Sequence, residues 1–141
     1  KVDKRIYPVF DLDKYSSGLV LLTNDGDLTQ KLTHPKFETP KTYRVYLQGK
    51  INEWQKNKLK NVEIFPPKAD QPLAGEEKDN RTLFLITIIE DKDRQIRRVC
   101  AEMQLNILEL KRIAIGEIKL GDLPSGKWRY LTQEEVKLLS V

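Results

Sequence analysis

The strongest constraint on the fold is Thr82 to Ile89, which reads Thr-Leu-Phe-Leu-Ile-Thr-Ile-Ile. Its β-branched and aromatic residues form the clearest strand in the sequence, and a strand this apolar requires both a partner and a covering layer. Lys41 to Leu47 supplies an alternating pattern, with Tyr43, Val45 and Leu47 on one face, and ends at Gly49. Ile107 to Arg112 and Ile115 to Leu120 are predicted as two further strands. Gly18 to Thr23 is a short apolar run between turn formers, expected to be buried on both faces.

Helices are predicted between these strands. Asp27 is placed to cap a short helix over Leu28 to Thr33 that stops at His34-Pro35. Asn52 to Lys60 is polar and reads as helical, and Asp93 is placed to cap a helix running to Gln104. Thr132 and Glu135 form a capping-box pair before a C-terminal helix. Phe65 to Gln71 carries Pro66 and Pro67 and is expected to be irregular, and Glu76 to Arg81 reads as a charged loop or hairpin tip. Strands and helices mix without regular alternation, so the expected class is α+β with a mainly antiparallel sheet and flanking helices. At 141 residues, residues 1–141 form one domain with 39% hydrophobic residues for a core.

The charge balance permits a polyanionic partner without demanding one, since the net charge is only +4. Cys100 is the single cysteine, which excludes an intrachain disulfide and reads as a buried small residue. His34 is the single histidine, so a four-ligand zinc site is not expected. No apolar run approaches the ~20 residues of a membrane-spanning helix. A reducing cytoplasm and a monomer are the default expectations.

Local features carry possible chemistry. Asp11 and Asp13 lie on one side of an extended segment. Such a pair can bind a metal, can divide into an acid and a nucleophile, or can be a solvated loop. At roughly 6–7 Å apart by strand geometry, they also suit a carboxylate-based hydrolase. Tyr43 at a strand start is either core or a stacking surface for a base. In Lys92-Asp93-Arg94-Gln95-Ile96-Arg97-Arg98, the three arginines share a helix face and form either a phosphate cradle or a solvated basic surface. Leu108 to Arg112 has core leucines, and its basic pair, Lys111 and Arg112, can touch RNA.

The order of these features resembles the RsuA-type branch of the bacterial pseudouridine synthases. The resemblance rests on Pro8-Val9-Phe10-Asp11-Leu12-Asp13 followed by Ser16-Ser17-Gly18 to Gly26, and then on His34-Pro35 and Lys41-Thr42-Tyr43-Arg44-Val45. It continues through Arg94-Gln95-Ile96-Arg97-Arg98, Leu110-Lys111-Arg112 to Gly116, Leu120-Gly121-Asp122-Leu123 and Gly126-Lys127-Trp128-Arg129. It implies isomerisation of a uridine in ribosomal RNA through a flipped base. It places Asp13 at the catalytic aspartate, Tyr43 at the base-stacking tyrosine, Arg97 at the basic partner of the carboxylate and Leu110 at an apolar pocket wall. RNA contacts are expected from Lys41, Lys92, Arg94, Gln95, Arg98, Lys111 and Arg112. No metal or organic cofactor is implied.

The chain departs from the branch at several points. Where the branch reads Gly-Arg-Leu-Asp, this chain reads Phe10-Asp11-Leu12-Asp13, so an acid replaces an arginine expected to contact RNA. This favours, as an alternative, a non-catalytic RNA-binding module. Asp91 stands where the branch has glycine. The upstream Asn-Lys-Pro-x-Gly strand and S4-type RNA-binding domain do not precede Lys1, so the chain is expected to be the catalytic portion of a longer protein, with one sheet edge left open.

Overall fold

The computed structural model describes residues 5–12, 16–34, 39–60, 76–78, 81–89 and 95–139. The elements run β1 (Tyr7–Val9), β2 (Ser17–Gly18), β3 (Leu21–Thr23), α1 (Gly26–Thr33), β4 (Lys41–Gln48) and α2 (Glu53–Lys60). They continue with β5 (Glu76–Lys78), β6 (Arg81–Ile88), α3 (Gln95–Glu102), β7 (Ile107–Ile115), β8 (Ile118–Lys119) and α4 (Gln133–Leu139).

The main sheet has the order β2-β7-β4-β6-β5, with β8 also paired to β7, and β1 and β3 form a separate antiparallel ribbon. Among the described strands, β2 on β7 is the parallel pairing and the rest are antiparallel. The fold is α+β with a mixed, mainly antiparallel sheet, as the sequence predicts.

β4 pairs β6 along its whole length, from Lys41 opposite Ile88 to Gln48 opposite Arg81. Strand period then sends Tyr43, Val45 and Leu47 to one face with Phe84, Ile86, Ile88 and Leu110. That face is covered by Ile96 and Cys100 of α3 and by Met103 just after it, with Ile51 beside them, and α2 packs on α3. A second cluster joins Val9, Leu19, Leu21, Leu32, Ile115, Ile118 and Leu139. β7 is common to both clusters, through Leu110 in one and Ile115 in the other.

Several expectations are corrected. The run from Gly18 to Thr23 is not one doubly buried strand. β2 joins β7, whereas β3 pairs β1, and Leu22 remains 52% exposed because the ribbon has a solvent face. Asp25, not Asp27, caps α1: Asp25 is extended and accepts from the Leu28 amide at 3.1 Å, while Asp27 lies inside the first turn. The strands expected over 107–112 and 115–120 are instead β7 and a short β8, since the ladder to β4 continues through Ala114 and Ile115 before the Gly116 turn. Of the two readings of Glu76 to Arg81, loop or hairpin tip, the second holds: Glu76–Lys78 pairs β6 antiparallel up to Lys78 opposite Arg81. The irregular segment expected over 65–71 and the Asp93 cap lie outside the described residues.

The remaining caps follow their sequence signals. Asn52 and Gln55 bond each other's backbone amides at 2.9 and 2.8 Å at the start of α2. Thr132 and Glu135 do the same at 2.9 and 3.1 Å before α4.

Candidate active site

The candidate site is built around the described ends of the segment from Phe10 to Leu19, which pack in the second cluster and are bonded to Arg112 of β7. Asp13 lies within this segment but outside the described residues, as do Lys92 and Arg94. What the structure describes is how the segment's two flanks are held.

Arg112 is central to that arrangement. Leu110 and Arg112 are two apart on β7 and share its inner face, so both are 2% exposed. The Arg112 Nε donates to the Leu19 carbonyl at 2.8 Å, and its Nη2 donates to the Phe10 carbonyl in a short bond. Its side chain also bonds Tyr43, which stands opposite it in the β4–β7 register. Burial lowers the Arg112 pKa, and this is opposed by Tyr43 and by the charge of Asp11. A planar guanidinium suits the task, because its fixed fork can serve several acceptors together.

β2 brings the returning end of the segment onto this arginine. Gly18 pairs with Arg112, and the Leu19 amide donates to the Arg112 carbonyl at 2.8 Å. Gly18 has φ 113°, and a Cβ there would overlap the Arg112 carbonyl oxygen, so this close parallel approach requires glycine.

Lys41 is buried at the other flank. Its ammonium donates to the Ile89 carbonyl at 2.6 Å and sits 4.0 Å from the centre of the Phe10 ring. The outgoing flank is therefore tied to the end of β6. Asp11 accepts from the adjacent Leu12 amide at 2.8 Å. From α3, the half-buried Arg97 directs Nη2 toward Ser16 Oγ at 3.4 Å. Arg97 also faces Cys100, whose buried thiol is pushed up to about 11 and stays protonated at neutral pH.

The structure places Tyr43 of β4 and Leu110 of β7 in one core cluster and bonds Tyr43 to Arg112, while Arg97 of α3 reaches Ser16. Lys41 and Arg112, expected to contact RNA, are both buried, and their charged groups bond the Ile89 carbonyl and the Phe10 and Leu19 carbonyls. Lys111 faces the opposite side of β7 and is half-buried beside Arg44 and Ser17 in register. Arg98 is exposed on α3, and Gln95 opens that helix. The sequence reading missed the roles of Phe10 and Ser16. A signal for Phe10 was present, since the branch places glycine there and the observed φ is 55°. The parity shared by Leu110 and Arg112 also signalled that the arginine points inward. Among the described residues, no group of three His, Cys, Asp or Glu is placed to hold a metal, and no helix is long and apolar enough to cross a membrane.

The sequence and the fold match known proteins. The family model for RNA pseudouridylate synthase matches residues 1–102. An uncharacterized RNA pseudouridine synthase of Aquifex aeolicus is 36% identical over 98% of this chain and 57% of its own length. The ribosomal large subunit pseudouridine synthase E of Vibrio parahaemolyticus is 40% identical over 89% of this chain and 60% of its own length. A crystal structure of a pseudouridylate synthase superimposes with a TM-score of 0.76 at 30% identity, covering 95% of this chain and 59% of that one. The chain belongs to the RNA pseudouridylate synthase family. It spans about three fifths of the length of these relatives.

Proposed function

We propose that this chain forms the catalytic part of an RNA pseudouridine synthase acting on ribosomal RNA, with Asp13 as the nucleophile. The observation that carries the reading is that Arg112 of β7 bonds the carbonyls of both Phe10 and Leu19, on either side of Asp13 in the sequence, while Arg97 of α3 reaches Ser16 and Tyr43 bonds Arg112. The names of relatives that modify the large ribosomal subunit support the choice of RNA.

In this reading the target uridine leaves its stack, at a cost of roughly a few kcal/mol. Stacking on Tyr43 returns about 1–3 kcal/mol, and Leu110 closes the apolar wall. Arg97 pairs with the Asp13 carboxylate and favours its ionised form. The carboxylate acts at the sugar and the N1–C1′ bond breaks. The uracil rotates and C5 bonds to C1′. C5 then loses its proton and N1 gains one, so the product is an isomer and no redox partner is consumed. Arg98, Arg94, Lys92 and Gln95 supply phosphate contacts around the basic helix, whereas Lys41 and Arg112 act from within.

The test is pseudouridine formation in unmodified ribosomal RNA by the full-length protein and its Asp13→Asn variant. The variant should lose at least about a hundredfold in turnover and retain RNA binding, since removing a negative charge does not weaken attraction to a polyanion. Full turnover by the variant would remove Asp13 from the mechanism. A second reading, an RNA-binding module without catalysis, is favoured by Asp11 standing in place of the branch's arginine. RNA binding without product from the parent protein would select it.

A further inference from the structure

We propose that Arg112 is a positioning residue, which sets the placement of the Asp13 segment by holding both of its flanks to β7. The inference rests on the reading of Asp13 as the nucleophile and extends it to a residue that the sequence assigned to RNA. Phe10 and Leu19 stand on either side of Asp13 in the sequence, and the same buried guanidinium bonds both carbonyls. Two chain ends joined through one rigid planar group have a fixed separation, which limits the conformations open to the residues between them. The third contact, to Tyr43, ties this clamp to the side chain on which the flipped base would stack. One arginine is therefore bonded both to the described flanks, Phe10 and Leu19, and to the side chain on which the flipped base would stack.

A residue buried to 2% exposure cannot reach a phosphate without leaving these carbonyls. Leaving them would strand buried acceptors. Asp11 contributes an opposite charge nearby, which helps to keep the guanidinium charged at its buried position. This gives the acid at position 11 a role that the branch's arginine could not take, since a second cation there would repel Arg112.

The test uses the full-length protein and Arg112→Lys, which keeps the charge but lacks the fork needed to hold both carbonyls. Amide hydrogen exchange should quicken in residues 11–18 and stay unchanged in β4 and β6. Turnover at saturating RNA should fall by about a hundredfold, the size expected of a misplaced reacting group. The stranded carbonyls should lower the melting temperature, so the assays are run well below it; KM and RNA affinity should then stay within about twofold, a split that general destabilisation does not produce. Unchanged exchange would overturn the clamp. Quickened exchange with unchanged turnover would overturn positioning. Weakened RNA binding with unchanged saturated turnover would make Arg112 an RNA contact after all.

If Arg112→Lys fails to fold, the nitrogen-labelled wild-type protein decides. A clamped guanidinium gives separate, slowly exchanging Nη signals, and a single averaged signal would overturn the proposal. If the wild-type protein makes no pseudouridine, the isomerase reading fails. Segment exchange and the guanidinium signals then still decide whether Arg112 holds the flanks.

Discussion

Phe10 has φ 55°, in the left-handed region that a bulky side chain enters at a cost of about 1–2 kcal/mol. Two contacts offset this cost. The ring lies under the Lys41 ammonium and packs against the second cluster, while the carbonyl binds Arg112. Glycine would relax the backbone but would offer no ring to the buried cation. Phe10→Leu isolates the aromatic contribution, because leucine keeps an apolar side chain and the same backbone. It should destabilise the protein by about 0.5–2 kcal/mol, the range of a partly desolvated cation–π contact, read from denaturant midpoints at constant slope. No loss of stability would mean that Lys41 rests on the Ile89 carbonyl alone. The sequence showed that position 10 departs from the branch. It did not show the compensation, because Phe10 and Lys41 meet only after β1 and β4 are brought together across the fold.

At the scale of elements, legibility followed the range of the interaction that fixes each one. The alternating pattern of β4 and the apolar run of β6 foretold their inner faces, since strand period is a local property. The division of Gly18–Thr23 between two sheets was not foretold, because pairing partners decide it. The α4 capping box was legible for the same local reason, and Arg129 strengthens it by gripping both Glu135 oxygens at 2.7 and 2.8 Å. This bidentate bond, with the Thr132 backbone contact next, pulls the Glu135 pKa down from 4.5 to about 2. A carboxyl whose folded-state pKa is depressed adds stability above its ordinary value and loses it as pH falls through the folded value. Glu135→Gln should therefore be slightly less stable than the parent at neutral pH, the effect being small because solvent screens an exposed pair. The difference should shrink between pH 4.5 and about 2, followed by thermal melting of both proteins. A difference independent of pH would assign the stabilisation to the neutral capping bonds instead.

Across the whole molecule, the two apolar clusters share β7, and the candidate site lies on that shared strand. Leu110 lies in the first cluster, Arg112 bonds the Phe10 and Leu19 carbonyls beside the second, and Ile115 is fully buried in the second. A site assembled at such a seam keeps its geometry only if the two clusters unfold together. β7 gives a physical reason for this, because its ladder to β4 cannot separate at one end without loosening the other. Ile115→Ala should cost about 2–5 kcal/mol, as for other buried large-to-small changes. The informative readout is distant from the substitution: amide exchange of β6, whose side chains pack in the first cluster. If the clusters form one cooperative unit, β6 exchange free energies should fall by the same amount as global stability. If only the β1 and β3 amides respond, the second cluster opens alone. The Phe10 flank would then be lost before the Tyr43 face, and Arg112 would be holding together two separately folding parts.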